Sequence, residues 1–160
     1  MRYTPGMEYE ELLEQVTKTP RVHGYISLDT ETRLSPIQGL GLFSKRTLPE
    51  KEVVAVWGGR VTTRDEIEQL PEVIGYHYAL ELYPGFYLAE RSVTELDSAD
   101  FINHSCNPNC EIVNQFTMIT AKPIAQDQEL TADFSNHTNT GKSFVCNCGA
   151  DNCRKVIYFN

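Results

Sequence analysis

Phe101-Ile102-Asn103-His104-Ser105-Cys106-Asn107-Pro108-Asn109-Cys110 is the stretch on which the reading of this chain turns. Asn103 and His104 stand side by side and offer both donors and acceptors, suited to fixing a polar ligand or to tying a loop in place. Taken alone, the segment also reads as a polar turn, because Asn107-Pro108 is an ordinary turn opener. Its two thiols matter more once the other end of the chain is read.

That end carries Cys146-Asn147-Cys148-Gly149-Ala150-Asp151-Asn152-Cys153, three thiols in one short run interrupted by a glycine. The spacing suits a tight knuckle around one cation, and zinc favours four sulfur or nitrogen ligands in a tetrahedron. The fourth ligand must come from elsewhere, with Cys106, Cys110 and the histidines as candidates. The plainer alternative is a set of reduced structural thiols. An odd total of 5 cysteines argues against a pure disulfide framework.

Outward from these segments, the bulk properties narrow the class. The 160 residues fit one domain, and 41% hydrophobic with 22% charged residues is ordinary for a globular protein. No stretch approaches the roughly 18 consecutive apolar residues of a membrane span. The opening residues are polar and acidic where a signal peptide needs an apolar run, so the expectation is an intracellular protein, cytoplasmic in a prokaryote, with the nucleus as the option in a eukaryote or virus. The Asn-x-Ser/Thr matches at Asn103 and Asn136 then read as chance. A net charge of −8 disfavours direct nucleic-acid binding and favours a basic protein or peptide partner.

Local patterns predict many short strands and two small helices. Tyr9, Leu12, Leu13 and Val16 share one helical face over 7–18, which Thr19-Pro20 stops. Strands are expected at 22–28, 53–57, 110–113, 116–121 and 129–132. A hairpin is expected over 76–82 and 86–89, around Pro84-Gly85. Between 28 and 36 the chain reads as a polar turn region, and after Gly39-Leu40-Gly41 only the pair Leu42-Phe43 stands out. Thr63 and Glu66 have capping-box spacing ahead of a short helix over 63–70. The sum is an α+β protein, mainly β.

Four segments in fixed order carry a resemblance. Gln38-Gly39-Leu40-Gly41-Leu42-Phe43-Ser44 comes first, then the 101–110 stretch, then Glu129-Leu130-Thr131-Ala132-Asp133-Phe134, then the cysteine tail. This order resembles the SET-domain protein lysine methyltransferases with their post-SET zinc segment, from about Val22 to Arg154. The resemblance implies a fold of short-stranded sheets with a pseudoknot-like threaded C-terminal region. It also implies an N-terminal helical extension at 1–20, the SET domain at 21–137 and the zinc-binding segment at 138–160. At this length no long targeting domain is expected.

The implied activity is methyl transfer from S-adenosylmethionine, leaving S-adenosylhomocysteine, to the lysine ε-amine of a histone or other basic protein, with no direct nucleic-acid or membrane partner. Gly39, Leu40, Gly41, Tyr76, Asn103 and His104 match the cofactor-binding positions. Asn103 is implied to bond the methionine amino group, His104 the adenine, and the glycines to let backbone approach the cofactor. Tyr76, His77 and Tyr78 fall near the walls of the two pockets. Cys106 matches the fourth ligand, so the implied Zn2+ site is Cys106, Cys146, Cys148 and Cys153, with Cys110 left to the core.

Four positions depart from the pattern. Phe134 stands where the family has its catalytic tyrosine, Ala132 replaces the preceding aromatic, and Trp57 replaces a second channel tyrosine. Phe134, Trp57 and Tyr78 are therefore the expected channel residues. Ala132 is expected to widen the channel, and Tyr158 is positioned in sequence to fold back with a hydroxyl. Asp100 stands where many eukaryotic members have arginine. The alternative is a catalytically weak SET-fold module that binds S-adenosylmethionine, or a lysine or methyl-lysine peptide. A zinc-dependent interaction domain without cofactor is a third reading.

Overall fold

Short runs of β-branched and aromatic residues, punctuated by Gly, Pro and Asn turns, build a mainly β fold with few helices. The computed structural model describes residues 8–18, 24–70, 79–135 and 143–158. In chain order these form α1 (Tyr9–Lys18), β1 (Tyr25–Ile26), β2 (Thr30–Leu34), β3 (Leu40–Ser44), β4 (Val53–Val56) and β5 (Arg60–Thr63). Next come α2 (Arg64–Glu68), β6 (Leu80–Tyr83), β7 (Phe86–Ala89), β8 (Asn103–His104) and β9 (Cys110–Val113). The chain closes with β10 (Thr117–Thr120), β11 (Glu129–Ala132), β12 (Ser143–Val145) and β13 (Val156–Tyr158).

Two four-stranded sheets, β1-β4-β10-β9 and β2-β3-β11-β8, share the main core. Leu42 of β3 with Leu130 and Ala132 of β11 meets Val54 and Ala55 of β4 and Met118 of β10, all fully enclosed. Burying a side chain of this size contributes about 1.5–3 kcal/mol, so this contact holds the sheets together. β8 runs parallel to β11, with Asn103 opposite Thr131 and His104 opposite Ala132; every other strand pair among the described residues is antiparallel. The 103–106 segment is thereby held between β11 on one side and the cysteine tail on the other.

A smaller sheet, β5-β7-β6, packs on α2 through Ile67, Tyr87 and Ala89. Its hairpin turns at Pro84-Gly85, with Gly85 at φ +85°, the conformation a proline-glycine turn demands. The capping box forms as the spacing predicts: Glu66 Oε2 accepts from Thr63 N at 2.8 Å, and Glu66 N donates back to Thr63 Oγ1.

Several expectations need correction. The supposed turn region at 28–36 contains β2, whose Thr30 and Thr32 are buried against β3, so polar residues here alternate as a strand. The strand after the glycine turn takes in all of Leu40–Ser44, buried at every position. The helix over 63–70 is shorter, 64–68, and the strand at 22–28 reduces to Tyr25–Ile26 among the described residues. Residues 76–78 of the expected hairpin lie outside the described residues, and β6 begins at Leu80.

Candidate cofactor and metal site

β8 places its two residues on opposite sides, as successive residues of a strand must be. On one side the Asn103 Nδ2 group lies within hydrogen-bond reach of Ser35 Oγ (3.0 Å), Gln38 O (3.2 Å), Leu40 O (2.9 Å) and Glu129 Oε1 (2.8 Å). Four acceptors around one nitrogen fix the orientation of the amide. Among the described residues its Oδ1 takes no hydrogen bond within the protein, yet it is not a sealed, unsatisfied atom. It therefore remains open as an acceptor.

The glycine turn and this amide form one network. Ser35 Oγ donates to the Glu129 carboxylate at 2.8 and 2.9 Å while receiving from Asn103. Burial pushes the Glu129 carboxyl above its ordinary range, and the bonds from Asn103 and Ser35 oppose that rise. Gly41 is glycine because a Cβ there would collide with the Glu129 carboxylate. Gly39 combines φ +50° with the Tyr9 ring where its Cβ would stand. Both glycines thus leave room for the protein's own side chains.

On the other side, the His104 ring is buried. Its Nδ1 faces Phe134 N at 3.3 Å, and its Nε2 lies 3.4 Å from both Cys106 Sγ and the Arg154 guanidinium. Phe144 of β12 packs edge-on against the same ring at 5.5 Å. With the imidazole so enclosed, any contact from His104 to a ligand falls to its backbone.

Cys106, Cys146, Cys148 and Cys153 bring their sulfurs within 4.8 Å of one another, and Cys106 and Cys146 Sγ are 3.9 Å apart. Ligands about 2.3 Å from a tetrahedral zinc lie about 3.8 Å from each other, so a cluster of this size fits the ion. Further groups already face the sulfurs. Arg154 N and Nε point at Cys106 Sγ from 3.3 and 3.4 Å, and Cys106 N donates to Cys148 Sγ. Burial works against a charged Cys148, but the N–H groups of Cys106 and Ala150, with the neighbouring Cys146 and Cys153 thiols, together outweigh it and draw that thiol below its ordinary range. Arg154 also pairs with Asp133 Oδ2 at 2.7 Å and donates to Ser135 Oγ, tying the tail to the end of β11. Cys110 lies apart in the main core, its thiol pushed up to about 12 by burial, as expected of a packed cysteine.

The channel residues come together differently from expectation. Trp57 and Phe134 meet edge to face at 6.1 Å, and Trp57 Nε1 donates to Ala99 O at 3.0 Å. Both rings are buried in the main core rather than presented as open π faces. Ala132 has 0% exposure and lies in the main core. Tyr158 is 63% exposed on β13 and does not fold back into the core. Tyr76, His77 and Tyr78 lie outside the described residues. Asp100 caps the turn at 98–101 through Asp97 N at 2.8 Å, a local role that arginine lacks.

Sequence reasoning missed Ser35, Glu129, Tyr9 and Arg154. A lone serine or glutamate carries no pattern; the one available signal was the glycine at 41, whose missing Cβ implied a close neighbour.

Comparison with known proteins agrees with this geometry. The SET domain model matches residues 39–135. The chain is 32% identical over 133 residues to the Histone-lysine N-methyltransferase trr of Drosophila melanogaster, covering 76% of this chain and 5% of that protein. It is 29% identical to the human Histone-lysine N-methyltransferase 2B (77% and 5%) and 28% to the Drosophila melanogaster Histone-lysine N-methyltransferase Su(var)3-9 (75% and 23%). It thus spans only a small part of these relatives. Among solved structures, KRYPTONITE in complex with mCHG DNA and SAH superposes with a TM-score of 0.63 at 26% identity, over 83% of this chain and 30% of that one. Because the matched segment takes in the glycine turn, β8 and β11, and covers more than half of the sequence, the chain belongs to the SET-domain family.

Proposed function

We propose that this chain binds S-adenosylmethionine at the glycine turn and transfers its methyl group to the lysine ε-amine of a protein substrate. The observation that carries the reading is the Asn103 amide, whose nitrogen is committed to four acceptors while Oδ1 stays open. An open carbonyl oxygen beside a half-buried carboxylate, Glu129, suits the ammonium of an amino acid moiety. The relatives named as histone-lysine N-methyltransferases, and the SAH and H3(1-15) peptide in a second KRYPTONITE structure, support the same cofactor and substrate class. When bound, the cofactor supplies a methyl group on a cationic sulfur, open to in-line displacement by an uncharged amine.

The chain's own residues set the conditions for that step. Asn103 and the glycine turn orient, while the Trp57–Phe134 pair excludes water and disfavours the charged form of a lysine entering beside it. The four-thiol knuckle would hold zinc in a structural role, anchoring the tail to Cys106. Thiols kept reduced for a metal suit an intracellular compartment.

Phe134 favours a second reading, a module that binds cofactor or a lysine peptide with slow turnover, because one positioning hydroxyl is absent. Incubation with methyl-labelled S-adenosylmethionine, core histones and a mixture of basic proteins separates the two. We expect transfer that Asn103→Ala abolishes, and we expect Phe134→Tyr to raise the rate roughly tenfold, the worth of one positioning hydrogen bond. Cofactor binding without transfer by either protein would select the second reading.

A further inference from the structure

We propose that Tyr9 is a positioning residue for the cofactor turn, and that helix α1 is a built-in brace for that turn rather than a mere cover for the core. The inference rests on the reading that Asn103 receives the cofactor.

Helix α1 lies outside the segment that the SET model matches, so it is an element set beside the shared core. Its docking is specific. Leu12 and Val16 are buried with Leu40, Leu96 and Phe101, and Gln15 Nε2 donates to Val93 O at 2.6 Å. This seats the helix beside β2 and against Leu40, the first residue of β3, next to the glycine turn. One turn before Leu12, the hydroxyl-bearing edge of the Tyr9 ring stands beside Gly39: a Cβ there would be 2.6 Å from Cε1, 3.0 Å from Cζ and 3.2 Å from the hydroxyl oxygen. Tyr9 is 36% exposed as a residue, so burial in the core does not explain its place.

What the ring touches is the pivot of the Asn103 network. Gly39 separates Gln38 and Leu40, and the carbonyls of those two residues both accept from Asn103 Nδ2. Gly39 O itself accepts from Ser35 N at 2.7 Å, and Ser35 is a third partner of that amide. At φ +50° a glycine has neighbouring conformations of similar energy, and a change of torsion at Gly39 turns the Gln38 and Leu40 carbonyls relative to each other, so that both cannot stay on Asn103. A ring edge standing where the Cβ would be restricts that freedom. Tyr9 therefore acts through Gly39 on the direction in which Asn103 Oδ1 points.

Tyr9→Ala and Tyr9→Phe test this with two readouts on the full chain. In the cofactor-free protein, NMR of the Asn103 side-chain amide should show faster exchange and broadened signals in Tyr9→Ala, and wild-type behaviour in Tyr9→Phe. In titrations with S-adenosylmethionine, Tyr9→Ala should weaken binding about tenfold, the loss of roughly one well-oriented hydrogen bond, with kcat nearly unchanged and Tyr9→Phe restoring affinity. An unaltered Asn103 amide in Tyr9→Ala overturns the inference, whatever the binding data say. A loosened amide in a protein whose wild type binds no cofactor would instead keep the brace and sink the functional reading. Unaltered affinity despite a loosened amide would also overturn the positioning role.

Discussion

Asn103 and His104 are neighbours in a two-residue strand, yet they anchor two regions built on different physics. The Asn103 side is a network of the protein's own hydrogen bonds, complete without any ion and leaving one acceptor open. On the His104 side, four thiols converge beside Arg154 in the arrangement of a metal site, where they bind as thiolates only once a cation sits among them. The first region is formed by folding alone. The second has the ligand set of a metal site, and its Arg154 holds the tail against Asp133 at the end of β11.

The largest effect should come from removing the metal. Stripping zinc with a strong chelator, or introducing Cys146→Ser, should free β12 and β13, since structural zinc contributes on the order of 10 kcal/mol to small sites. Limited proteolysis should then cut beyond Ser135, while the Ser35 and Asn103 amides keep their protection. Collapse of both regions together would break the distinction. Next in size, Glu129→Ala removes the carboxylate that receives Asn103 and Ser35. A loss of about 1–3 kcal/mol, or several degrees in Tm, is expected with zinc content unchanged.

The smallest effect concerns the acidic stretch ahead of β8, which belongs to neither anchor. Burial, with Asp100, Glu95 and Asp97 nearby, raises the Glu90 carboxyl from 4.5 to about 7. Between those values the folded state holds a proton that the unfolded chain has lost, so stability falls as pH rises across this window. Glu90→Gln should flatten the fall, and Tm measured from pH 4.5 to 8 checks it. A parallel curve for the variant would show that Glu90 is not the source.

Much of this arrangement was legible in sequence, but unevenly. The thiol cluster announced itself because three ligands are close along the chain and Cys106 sits in a motif of its own. Strands with apolar stretches, such as 110–113 and 129–132, came out with their observed limits. β2 did not, because Thr-Glu-Thr-Arg-Leu has too few apolar residues for alternation to register. The partners of Asn103 were hidden for a different reason: Ser35 and Glu129 meet across 94 positions, and only the pairing of β3 with β11 brings them together. Trp57 and Phe134 were identified, but their burial depended on packing that no local pattern carries.

The most direct test is isothermal titration of S-adenosylmethionine into wild type and Asn103→Ala, with zinc content measured in both. The account predicts that wild type binds, that the variant loses at least about tenfold in affinity, and that both retain one zinc per chain. Equal affinity in the two proteins, or loss of zinc from the variant, would contradict it.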